Sequence, residues 1–255
     1  MFRAARLIVS ADRLLGPEPD LDRPRGLDPD RRASVVLWSS AVLLILLLFQ
    51  GGFPTPGSFR SAWTDWNPWS LEARLYWSVW GYLFYMVIPV AIIVAVFRES
   101  PGRYGLRIYL TPRTAALYAG MVLLMAPLLY WASTQPSFLI RYPFARDLSS
   151  PGEIALWETV YVARFVALEF FFRGFLLFGV EERLGRVNAI AVSTIPYAMV
   201  HFAKPFPEAL GALIAGAVLG WLALRTRSIA GGVVVHGTIA LGMDLLALWR
   251  NGTLG

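Results

Sequence analysis

Seven apolar segments, at roughly residues 34 to 51, 75 to 97, 114 to 134, 156 to 180, 188 to 203, 209 to 225 and 229 to 249, dominate the 255-residue chain. A helix that crosses a bilayer needs about 20 mainly apolar residues, at about 1.5 Å of rise each. The spacing therefore predicts an all-α, polytopic integral membrane protein with about seven transmembrane helices. The composition agrees, because 56% of residues are hydrophobic and 16% charged, where a soluble domain has about 25% charged residues. The fifth segment is short and contains Pro196, which predicts a kink.

Charge placement gives an orientation. The chain has one lysine, Lys204, and 22 arginines. They are scattered between the apolar segments rather than gathered on one face, so nucleic acid is excluded as a partner and membrane topology explains them. With the N-terminus inside, 15 basic residues fall in inner segments and 6 in outer ones, which is the positive-inside asymmetry. The near absence of lysine and the arginine, alanine, glycine and leucine usage fit a GC-rich bacterial genome, so the expected location is a cell membrane, a bacterial inner membrane, with a cytoplasmic N-terminus. Residues 1 to 15 lack the apolar core and cleavage site of a signal peptide and read as an interfacial amphipathic helix. The polar stretch after them reads as a flexible linker.

The organisation expected is thus an amphipathic helix and linker over 1–33, three N-terminal transmembrane helices over 34–134, and a four-helix membrane core over 156–250. Trp63, Trp66 and Trp69 precede the second segment and read as interfacial anchors. Ala212, Gly216 and Gly220 make a small-residue stripe that suits close helix packing. No repeat and no inverted pair of broken helices marks a transporter.

Ionisable residues inside apolar segments are costly and mark candidate functional positions. Here they are Glu158, Arg164, Glu169, Arg173, His201, His236 and Asp244, all in the last four segments. Glu169 and Arg173 are four apart on one helix and can pair. Glu158, three turns before Glu169, is expected at the interface. Two histidines and a glutamate in separate segments suit proton transfer in a low-dielectric interior. Counted along ideal helices from the presumed inner ends, Glu169, His236 and His201 lie about 16, 10 and 20 Å deep, a spread wider than direct contact. There is no cysteine, so thiolate chemistry is excluded. Two His and one Glu are a legitimate zinc set, but the His-Glu-x-x-His signature is absent. No cofactor is expected, with zinc left open. A Gly-x-Ser-x-Gly elbow is absent too.

Glu169-Phe-Phe-Phe-Arg173-Gly174, Tyr197-x-x-x-His201 and His236, each in a separate segment, resemble the three motifs of the CPBP family, the CAAX-processing and bacteriocin-processing intramembrane endopeptidases. Tyr104-Gly105-Leu106-Arg107 and Arg225-Thr-Arg-Ser228-Ile are secondary echoes. The resemblance covers about residues 100 to 245. It implies water activation by Glu169 and His201, an oxyanion stabilised by His236, and a carboxylate oriented by Arg173, hydrolysing a peptide bond in a membrane-anchored protein or peptide. Three positions depart from the family pattern. Leu168 stands where the first of two adjacent glutamates is usual, Ala240 where an asparagine follows the second histidine by one turn, and Tyr197 where phenylalanine is usual. Asp244, two turns after His236, is too far along to replace the asparagine. The alternative reading is a catalytically inactive relative that binds a helix or peptide as a scaffold or regulator.

Overall fold

The computed structural model describes residues 28–50 and 67–254. The expected helix over residues 1 to 15, with Trp63 and Trp66, lies outside the described residues. The chain is all-α, and no strand occurs among the described residues. Its long helices are α1 (Pro29–Gln50), α2 (Leu71–Phe97), α3 (Pro112–Ala132), α5 (Pro151–Glu169), α6 (Leu177–Met199), α7 (Phe206–Thr226) and α8 (Ala230–Arg250), with a short α4 (Pro136–Arg141) between α3 and α5. Among the described residues, α1, α2, α3, α7 and α8 are long and apolar enough to cross a membrane. The protein is a multi-pass membrane protein whose ionisable residues concentrate in α5 and α6.

Helix ends fall where caps place them rather than where hydropathy changes. α1 starts at Pro29, five residues ahead of the apolar segment and inside the expected linker, because Asp28 Oδ1 accepts the backbone N–H of Asp30. Asp28 thus satisfies a donor that the first turn would leave bare. The early start brings in Arg32, which is buried and reaches Glu99 at 2.8 Å and Glu182 at 2.7 Å. Tyr104 also donates to Glu99, at 2.9 Å, and burial pushes its phenol well above the usual range. α5 begins on a reciprocal box in which Ser150 and Glu153 satisfy each other's backbone N–H groups, with Pro151 in the first turn.

α5 does not stop at Glu169. A π-helical segment, Phe170–Leu176, carries it directly into α6. The real break comes at Gly185, with φ 73° and ψ 163°, a backbone conformation open to glycine and costly for other residues. The fourth and fifth apolar segments are therefore the two arms of one helical hairpin. The second arm ends at Met199, and His201 follows it in a turn. α7 packs along that arm through its small-residue stripe. A Cβ at Gly216 would come within 2.6 Å of Thr194, and one at Gly220 within 3.5 Å of Ile190.

The two secondary motifs dock on each other beneath the hairpin. Ile229 donates its N–H to the Gly105 carbonyl at 3.1 Å, and the Ser228 hydroxyl donates to the Arg107 carbonyl. Gly105 has φ 83°. Gly174 admits no side chain, because its Cβ would meet the Tyr104 carbonyl oxygen at 2.6 Å.

Candidate active site

Glu169 is the last residue of α5 and is fully buried. Its Oε1 accepts from Arg173 Nη1 at 3.1 Å and pairs with His236 Nδ1 at 2.8 Å. The sequence spacing placed Glu169 and Arg173 on one face, and the wide turns of the π segment hold that ion pair inside the protein. π-helical turns recur at functional sites. Oε2 has no hydrogen-bond partner among the described residues. It abuts α8, where a Cβ at Gly232 would lie 2.5 Å away. The Gly231-Gly232 pair one turn before His236 therefore lets α8 reach the carboxylate, and Gly231 similarly seats Tyr118 of α3.

A carboxylate can only accept, so Nδ1–H of His236 is the donor, and in the neutral ring the lone pair is then on Nε2. His201 Nδ1 contacts the Tyr197 carbonyl at 2.8 Å. Carbonyl oxygen also only accepts, so Nδ1 of His201 is a donor too, and in its neutral ring the lone pair is likewise on Nε2. The two imidazole centroids are 6.5 Å apart, and Tyr197 lies 4.8 Å from His201 and 5.8 Å from His236. The Arg173 guanidinium lies over the Tyr197 ring, 3.8 Å from its centroid. Phe165 covers His236 at 4.5 Å, and Phe172 meets Tyr197 at 5.4 Å.

The four residues given roles by the resemblance, Glu169, Arg173, His201 and His236, thus lie together despite the depth spread counted along ideal helices. The hairpin, the π segment and the turn at His201 close that gap. The pairing has its own logic. Glu169 bonds His236, while His201 faces the same space from the other arm of the hairpin. Among the described residues, no three His, Asp or Glu side chains are arranged to hold a metal ion.

Two of the three positions that depart from the family pattern are filled by packing. Leu168 is buried in the apolar core with Phe171 and Tyr85, and Ala240 is buried with Tyr161, Phe165 and Met243. Asp244 is structural, since its Oδ1 accepts the N–H of Phe144 at 2.8 Å and its Oδ2 the indole N–H of Trp157 at 2.8 Å. Glu158, expected at the interface, is instead buried beside Asp244. The apolar count along α5 could not reveal that α8 supplies a polar neighbour there. Arg164, in the same arm, lies 3.4 Å over the Trp77 ring, and Gly81 makes the room for it.

A second polar cluster, unremarked in the sequence, adjoins His201. Lys204 donates to Glu208 at 2.7 Å and to the Tyr142 hydroxyl, which itself donates to Glu208 at 2.7 Å. The i,i+4 spacing of Lys204 and Glu208 was its sequence signal. The cluster ties the His201 turn to the segment between α4 and α5.

Fold and site together define a multi-pass, all-α membrane protein with a buried carboxylate, its arginine and two imidazoles brought side by side. A family model described as type II CAAX prenyl endopeptidase Rce1-like matches residues 150–242. That segment contains Glu169, Arg173, His201 and His236, and over it the chain is similar to CAAX-type intramembrane proteases. No curated protein and no solved structure matches the chain.

Proposed function

We propose that the protein is an intramembrane endopeptidase that hydrolyses a peptide bond in membrane-anchored proteins or peptides without a covalent intermediate. The single observation that carries this reading is the Glu169–His236 contact of 2.8 Å inside a site that also holds Arg173 and His201. A carboxylate on one imidazole nitrogen fixes the tautomer and stabilises the imidazolium formed when the other nitrogen takes a proton. In this scheme Nε2 of His236 accepts a proton from water as the water oxygen attacks the carbonyl carbon. His201 Nε2 faces the same water and fixes its orientation. Collapse of the tetrahedral species breaks the C–N bond, and the proton on His236 passes to the departing amine. Arg173 holds Glu169 ionised throughout. This division of labour gives Glu169 to His236 rather than to His201, following the observed contact.

The substrate class follows from the family match, whose description names a prenyl endopeptidase. The arginine asymmetry favours a cytoplasmic N-terminus, and the proposed setting is a bacterial cell membrane. The test is cleavage of a quenched fluorescent peptide, with a prenylated cysteine followed by two aliphatic residues and a terminal residue, by the full chain in proteoliposomes. Glu169→Gln, His201→Ala and His236→Ala are each expected to abolish cleavage with insertion unchanged. Activity that survives Glu169→Gln and His201→Ala removes the catalytic reading. The packed Leu168 and Ala240 favour a second reading, an inactive scaffold that binds the same peptide, and that reading is expected to bind the probe equally before and after Glu169→Gln without cleaving it.

A further inference from the structure

The site lacks one group that the proposed hydrolysis needs. Negative charge develops on the attacked carbonyl oxygen, and a positioned donor there is usually the largest single contribution to the rate. Ala240 offers no polar side-chain atom, and Asp244 is occupied by Phe144 and Trp157. Both histidines donate Nδ1–H away from the central space, to Glu169 and to the Tyr197 carbonyl. Tyr197 stands between them, with ring centroids 4.8 Å from His201 and 5.8 Å from His236. It is buried, so no bulk water competes for it. The cation against it is Arg173, which only donates and cannot take the phenolic proton.

We propose that Tyr197 is a catalytic residue, whose phenolic O–H donates a hydrogen bond to the carbonyl oxygen of the substrate as it becomes an oxyanion. The proton stays on the phenol throughout and no bond to Tyr197 is made or broken. Arg173, packed on the ring, holds it in place and favours the build-up of negative charge beside it. The hydroxyl that sets residue 197 apart from the family's phenylalanine thus supplies the donor that the Ala240 side chain cannot.

This inference rests on the peptidase reading, and Tyr197→Phe tests it in the full chain in proteoliposomes with the same prenylated peptide. The change keeps the ring and removes only the hydroxyl. The expected result is a fall in kcat of about 10²- to 10³-fold, the usual effect of removing one oxyanion donor, with KM changed less than about threefold. In the second arm, 3-fluorotyrosine replaces Tyr197. Its more acidic phenol loses the donating proton earlier, so the alkaline limb of the kcat profile is expected at lower pH, which a structural role would not produce. A parent chain that cleaves while Tyr197→Phe cleaves equally fast, or an alkaline limb that does not move, overturns the role of Tyr197 alone. A parent chain as silent as Glu169→Gln overturns the peptidase reading and this role with it.

Discussion

Gly232→Ala probes the site through a single methyl group. The added carbon would lie 2.5 Å from Glu169 Oε2 and 3.1 Å from its Cδ, whereas ordinary contact begins near 3.4 Å. The carboxylate must therefore retreat by about 1 Å, and Oε1 moves with it. The bonds of 2.8 Å to His236 and 3.1 Å to Arg173 cannot both survive that shift. Hydrogen bonds to charged groups contribute about 1.5–3 kcal/mol each. Alanine in place of a helical glycine returns about 1 kcal/mol, so the net loss is about 0.5–2 kcal/mol if one bond fails and about 2–5 kcal/mol if both do. A displacement of about 1 Å in the catalytic constellation costs about 10²-fold in rate. Gly242→Ala on the same helix is the control. Its Cβ meets only Leu129 at 3.6 Å, so it should add up to about 1 kcal/mol of stability and leave the rate alone. Thermal unfolding in detergent and peptide cleavage in proteoliposomes read the two quantities separately. If Gly232→Ala matches Gly242→Ala in both, the carboxylate is not held as described.

The other expectations can be checked with the same pair of measurements. Arg173→Met leaves Glu169 charged and buried with one partner fewer, and should destabilise the protein by about 3–5 kcal/mol while abolishing cleavage. Asp244→Asn presents donor hydrogens to either the Phe144 N–H or the Trp157 indole, which both need acceptors, so a loss of about 1–3 kcal/mol in unfolding free energy is expected. Arg32→Met strips the buried Glu99 of its cation, with an expected loss of about 3–5 kcal/mol and little change in the kcat of the folded fraction. Cleavage should persist in excess chelator, and a loss restored by added zinc would argue instead for metal-assisted hydrolysis.

The apolar segments were legible because hydropathy reports directly on the cost of placing a side chain in lipid. Their ends were less so, since Asp28 and the Ser150–Glu153 box set the start of helices by hydrogen bonding, to which hydropathy is blind. The residues of the site were legible as expensive exceptions in apolar surroundings, and the pair Glu169–Arg173 was legible from its spacing. Partners on other helices were not. Nothing in the neighbourhood of Glu158 announces Asp244, and nothing in the neighbourhood of Glu169 announces that His236 rather than His201 will meet it. Gly232 could have been suspected only as a glycine one turn from a histidine, with no sign of what required it. Tyr197 was visible as an added hydroxyl, but its use depends on Ala240, which lies in another helix.

Gly185 gives the hairpin a mechanical character. Glu169 and His201 lie sixteen residues before and after it, so two arms of nearly equal length, about 24 Å if fully helical, bring carboxylate and imidazole to the same level. The site sits where the tip of the second arm meets the flank of the first, which runs on to Pro151, and the pivot between them is one glycine. A change of about 5° in the angle between arms of that length displaces the tips by about 2 Å, more than the tolerance of the hydrogen bonds there. Whatever grips the pivot end of the hairpin, including the ion pairs that Glu182 and Arg183 make with α1, therefore sets the gap in which water and peptide must meet.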